Sequence, residues 1–253
     1  MRKFVKDPNL PVSCSDLIIC GRYYDIFKNK LEMLGLRTFL MPDNRQLPEK
    51  ISYHTDLSVF HAGDNKLFLS KSFSDSVFSE KLTGTGFDIL YFETEQSAEY
   101  PGDVGGNVCC FGNIAVMNRN TADPVIKKYL DSKITVRIDV KQGYTKCNIC
   151  VLDDRSVITN DRIIYEKAKQ QGIEVLLSDP SYIRLDGFEH GFIGGSAFKI
   201  AADRLCFTGV LDNYPQGERK RILDFLERKG ITPVYLTDRP LFDIGGAVPV
   251  LEN

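Results

Sequence analysis

Three short stretches carry residue types that could do chemistry together. His54-Thr-Asp56 pairs an imidazole with a carboxylate, Gly102-Asp103 through Asn107 offers a carboxylate and an amide, and Lys146-Cys147-Asn148 sets a thiol among polar neighbours. A nearby ammonium favours the thiolate, which is the nucleophilic form of cysteine. Two positions apart on a strand share a face, so His54 and Asp56 are expected to project together, able to bind a cation or move a proton. Each also has a plainer reading: Asp56 as a solvated or turn-capping carboxylate, Asp103 as a turn residue after Pro101-Gly102, Asn107 as a satisfied core amide.

Cys147-Asn-Ile-Cys150 has metal-knuckle spacing, but no second pair follows and the side chains would point to opposite faces of a strand. No metal or cofactor is therefore expected. Cys20, Cys109, Cys110, Cys150 and Cys206 sit in apolar runs and read as core. Gly194-Gly195 and Gly245-Gly246 match no phosphate-loop spacing, and close backbone approach is the simpler account.

The elements that must position these residues repeat. Asp243-Ile-Gly-Gly-Ala-Val-Pro-Val-Leu has weaker copies beginning at His54, Asp103, Tyr144 and Phe192, each after a helix-then-strand preamble. Helices are expected at Tyr23–Leu34, beyond Ser74 or Asp75 as cap, at Asp123–Asp131, Asp161–Gln171 and Glu218–Lys229, with glycine stops at Gly35, Gly172 and Gly230. Two-stranded cassettes are expected at His54–Ser70, Asp103–Asn118, Tyr144–Thr159 and Phe192–Thr208. The fifth cassette has only its first half, and the orphan apolar run Asp16–Cys20 fits the vacancy. A ring closed by the N-terminal strand leaves no bare edge. The competing architecture is an open doubly wound sheet, which would not need hairpin-like cassettes.

A chain of 253 residues with 43% hydrophobic and 26% charged content can bury a large core, and the repeats favour one domain over residues 1–253. A formal charge of −2 supplies no field to gather nucleic acid, and no apolar run approaches membrane-spanning length. Seven cysteines with no apolar signal region at the start point to thiols in a reducing cytoplasm.

Five such units resemble the penteins, the guanidino-group modifying superfamily of arginine deiminases, dimethylarginine hydrolases and amidinotransferases. The resemblance implies a five-bladed α/β propeller with polar residues meeting at its axis. It implies a small cationic guanidino ligand, gripped by carboxylates while a thiolate attacks its central carbon and a histidine moves protons. Gly102-Asp103 is similar to the family's carboxylate element. The family's histidine belongs in the fourth unit, where Phe192-Ile-Gly-Gly-Ser has none and His190 lies just upstream, and Val250 aligns with its cysteine. His54 and Cys147 are therefore the expected catalytic pair, with Asp56, Asp103, Asn107, Asn148 and Asp243 as expected ligand contacts. The alternative is a non-catalytic propeller that binds a small metabolite or a macromolecule.

Overall fold

The computed structural model describes residues 2–253. Five small sheets account for its named strands. Four have one plan, an antiparallel hairpin followed by a helix and a third strand parallel to the second. They are Val59–His61, Lys66–Leu69 and Asp88–Tyr91; Cys109–Phe111, Ile114–Met117 and Val136–Asp139; Ile149–Asp153, Ser156–Thr159 and Glu174–Leu177; and Ala197–Ala201, Arg204–Phe207 and Thr232–Tyr235. In the fifth, the C-terminal strand Val248–Glu252 lies between Lys3–Phe4 and Ser15–Cys20, with Thr38–Met41 outside. The chain ends are thus joined in one sheet, with Leu17 opposite Pro249.

Parallel pairing needs a crossover, and a helix supplies it in every unit. These are Gly21–Met33, Val77–Gly84, Pro124–Lys133, Arg162–Gln170 and Gln216–Arg228. Asp123 and Asp161 cap two of them by accepting backbone N–H groups of Val125 and Ile164. Gly35, Gly172 and Gly230 have positive φ just past three helix ends, the left-handed conformation that stops a helix without a Cβ penalty. The second helix is capped by Ser76, which accepts from the Ser79 N–H, rather than by Ser74 or Asp75. Ser74 is drawn instead into the end of the short 3-10 turn Lys71–Phe73.

The strands read as unbroken apolar runs because both of their faces are buried. Successive side chains leave opposite faces, so Cys109 packs with Ile149 and Val151 of the third sheet while Cys110 packs with Phe60 and Phe68 of the first. Leu17 likewise meets Phe198 of the fourth sheet, and Ile18 meets Val59 and Leu67 of the first. Third and fourth sheets share the cluster of Cys150, Leu152, Leu205 and Phe207. Each of these five apolar clusters is therefore held in common by two sheets. No helix among the described residues is long and apolar enough to cross a membrane.

One expectation about the site fails here. His54 and Asp56 are not on a strand: His54 is the extended N-cap of the one-turn helix Thr55–Ser58, and the strand starts only at Val59. The fourth cassette opens the same way, with Ile193–Ser196 ahead of its strand. A strand entering at the crowded middle must turn sharply, and a helical turn satisfies its backbone while doing so.

Candidate active site

The helical turn brings His54 and Asp56 to the middle of the molecule, where the fifth unit fixes them. The Asp56 N–H donates to the Gly245 carbonyl at 3.0 Å. Gly245 has φ +69, and a Cβ there would lie 2.3 Å from the His54 Cα, so only glycine allows this approach. Asp243 in turn accepts the Phe192 and Gly245 N–H groups, each at 2.8 Å, and its Oδ1 lies 3.9 Å from His54 Nδ1. Gly195 makes room for it, since a Cβ at that position would sit 1.9 Å from Asp243 Oδ1.

Cys147 arrives from the third unit, in the turn ahead of Ile149–Asp153 rather than on the strand itself. Its thiol donates to Asp56 Oδ2 at 3.0 Å. Asn107 holds the turn: its Oδ1 accepts the Lys146 and Cys147 N–H groups at 2.8 and 3.2 Å, and its Nδ2 donates to the Asp56 carbonyl and to Cys147 Sγ. Asn107 therefore spends its polar atoms inside the protein. The neighbouring Lys146 is buried, with Nζ donating to the Gly194 carbonyl at 3.2 Å.

A pocket of about 220 Å³ opens over this cluster, lined by His54, Cys147 and Asp243 together with Tyr144, Phe192 and Glu189 among others. Tyr144 and Phe192 stack at 6.2 Å between ring centroids. Asp56 lies behind Cys147 and does not line it. Asp103 is further removed: its Oδ2 accepts the Tyr144 hydroxyl, so it braces the pocket wall. Asn148 donates to the Tyr144 carbonyl at 2.9 Å, and it too braces that residue. Glu252, at the far end of the last strand, accepts the N–H groups of Val12 and Ser13. Val250 is fully buried in the cluster shared by the fifth and first sheets.

Burial dominates the electrostatics. It pushes the Asp56 carboxyl up to about 7, with Lys146 opposing the shift. It pushes the Cys147 thiol well above the ordinary range, and the charges of Asp56 and Asp243 add to that. It holds His54 below its usual value, against the pull of Asp243. The resting site thus holds a neutral thiol whose proton faces a poised carboxylate, beside a neutral imidazole. His54 Nε2 and Asp56 Oδ1 are buried with no hydrogen-bond partner.

Sequence reasoning passed over Tyr144, Lys146 and Glu189 as site residues. Tyr144 and Lys146 stand in a cassette already singled out, in the same polar run through Asn148 that draws attention to Cys147. Glu189 sits in a connecting segment with no periodicity to place it.

The fold is shared with solved guanidino-modifying enzymes. The inosamine-phosphate amidinotransferase of Streptomyces griseus is 13% identical with a TM-score of 0.59, over 96% of this chain and 94% of that one. A dimethylarginine dimethylaminohydrolase from Pseudomonas aeruginosa, solved with citrulline, is 10% identical with a TM-score of 0.56, over 88% and 92%. The agmatine deiminase of C. jejuni is 8% identical with a TM-score of 0.55, over 93% and 91%. These identities carry the pentein fold and not an activity. No curated protein matches the sequence. A family model does match it over residues 18–248, nearly the whole chain, and the chain belongs to that family, described as a family of unknown function (DUF6873).

Proposed function

We propose that the chain is a thiol-dependent guanidino-group modifying enzyme, a hydrolase or amidinotransferase for a small arginine-like cation, with Cys147 as its nucleophile. The observation that carries this reading is the Cys147 thiol on the pocket floor, hydrogen-bonded to Asp56 and flanked by His54 and Asp243. Asp243 and Glu189 would hold the planar cation, and the faces of Tyr144 and Phe192 would flank it.

A bound cation favours the thiolate that burial disfavours. Asp56 takes the thiol proton, and sulfur bonds to the central guanidinium carbon. The bond to one nitrogen breaks as that proton, relayed by His54 at the pocket wall, passes to the departing amine, leaving an S-amidinium cation. Water or an acceptor amine then attacks that carbon and loses a proton to His54. The carbon–sulfur bond breaks, and the thiolate is reprotonated.

We also propose that residues 1–253 make one five-bladed ring closed by Ser15–Cys20, in a cytoplasmic setting. The apolar clusters shared in turn by sheets one and two, two and three, three and four, four and five, and five and one support the ring. Seven free thiols support the setting.

Turnover of arginine, agmatine and methylarginines by the protein and its Cys147→Ser variant tests the enzyme reading. Loss of turnover and of a covalent amidino adduct at Cys147 is expected, and full activity in the variant eliminates the nucleophile. The raised thiol pKa favours a second reading, a non-catalytic binder of a small cation. Under it, guanidino compounds raise the melting temperature without being consumed.

A further inference from the structure

We propose that His54, Asp56 and Cys147 together form a three-ligand site for a zinc-type divalent cation. One ligand atom from each lies within 4.8 Å of the others, and all three residues are buried. Zinc bonds of roughly 2.0–2.3 Å in a tetrahedron set ligand atoms about 3.4–3.7 Å apart. The sulfur and the Asp56 oxygen, now at 3.0 Å, would have to part by about half an ångström, while the imidazole closes in from within the 4.8 Å limit. Nitrogen, oxygen and sulfur in one set suit a borderline-soft ion such as zinc, and suit magnesium or calcium poorly.

Two independent features point to a missing partner. His54 Nε2 and Asp56 Oδ1 are buried polar atoms with no hydrogen bond, a costly state that a coordinated ion relieves. The charges are also unbalanced for a loaded site: two carboxylates and a thiolate, with Lys146 as the ammonium beside Asp56, leave two negative charges. A divalent cation neutralises those two, replacing the proton that the thiol now donates to Asp56. Asp243 stands 3.9 Å from His54 Nδ1, where a carboxylate supports a metal-bound imidazole. The pocket lined by His54 and Cys147 gives access and leaves a fourth position open to water or a ligand.

A metal-held thiolate is not free to attack carbon, so the ion would oppose the guanidino chemistry of the same cysteine. The site does not depend on that chemistry. It is read by titrating metal-free, full-length protein with Co²⁺ in the absence of any substrate. Four-coordinate ligand-field bands and a sulfur-to-cobalt charge-transfer band should saturate at one ion per chain and bleach on adding Zn²⁺. Cys147→Ser should abolish the charge-transfer band, Cys150→Ser should keep it, and Asp243→Asn should weaken binding by about 10–100-fold. In the unaltered protein, Zn²⁺ should also protect Cys147 from alkylation, a readout that survives if the variant misfolds. Absent bands, a band unchanged in Cys147→Ser, or alkylation of Cys147 unaffected by Zn²⁺ would overturn the site. Turnover assays fail or succeed independently of each of these.

Discussion

The sulfur of Cys147 lies 3.0 Å from Oδ2 of Asp56, across 91 positions of sequence. The carboxylate both receives the thiol proton and, by its charge, helps keep the thiol protonated. These two roles separate in Asp56→Asn. Turnover should fall by about 10²–10⁴-fold with the proton acceptor gone, while alkylation of Cys147 by iodoacetamide should quicken. Peptide mapping of alkylation rates beside steady-state kinetics checks both. A fall in both would mean that Asp56 only holds the turn.

The same carboxylate shapes stability against pH. Its folded pKa is raised to about 7, so between about 4 and 7 the folded state binds a proton that the unfolded chain has released. That contribution is fully present at low pH and is lost as pH rises through about 7. His61 opposes it: burial lowers its pKa to about 4, so stability from this group falls as pH drops from about 6.5. Asp56→Asn removes only the first effect. The stability of the variant relative to the unaltered protein should therefore rise steadily from pH 4 to 7, in denaturant titrations at several pH values. A pH-independent difference would contradict the raised pKa.

Gly245 meets the backbone of His54 closely and holds a left-handed φ. A methyl group there meets the His54 backbone at 2.3 Å and is strained by φ +69. Gly245→Ala should cost about 1–3 kcal/mol from overpacking and about 1–2 kcal/mol more from the backbone. A denaturant midpoint measures this. Gly217→Ala, with nothing within 4 Å, is the control and should be neutral or stabilising.

Deleting residues 248–253 removes the strand that joins Lys3–Phe4 to Ser15–Cys20. Ser15–Cys20 would then present a bare apolar edge. The truncated chain should lose its cooperative melt and aggregate, as scanning calorimetry and light scattering would show. Melting like that of the full chain would mean that the fifth sheet contributes little.

Most of the unit order was legible in the sequence, because helix periodicity, glycine stops and apolar runs are local signals. Gly35, Gly172 and Gly230 end helices where their lack of a Cβ permits the left-handed turn. The orphan run Asp16–Cys20 was legible as a strand needing a partner, and it pairs with Val248–Glu252. Cys147 stood out because polar neighbours flank it. What tertiary structure decided is who meets whom. His54 and Asp56 converge through a helical turn and not through strand alternation, since a short turn costs little sequence signature. Asp56 faces a thiol, Asp103 braces Tyr144, and Asp243 lies beside His54, all across separations that no local pattern encodes. Residue types and unit boundaries follow from the chain's own periodicity. The site follows from packing the units together, where each neighbour is chosen by shape and burial.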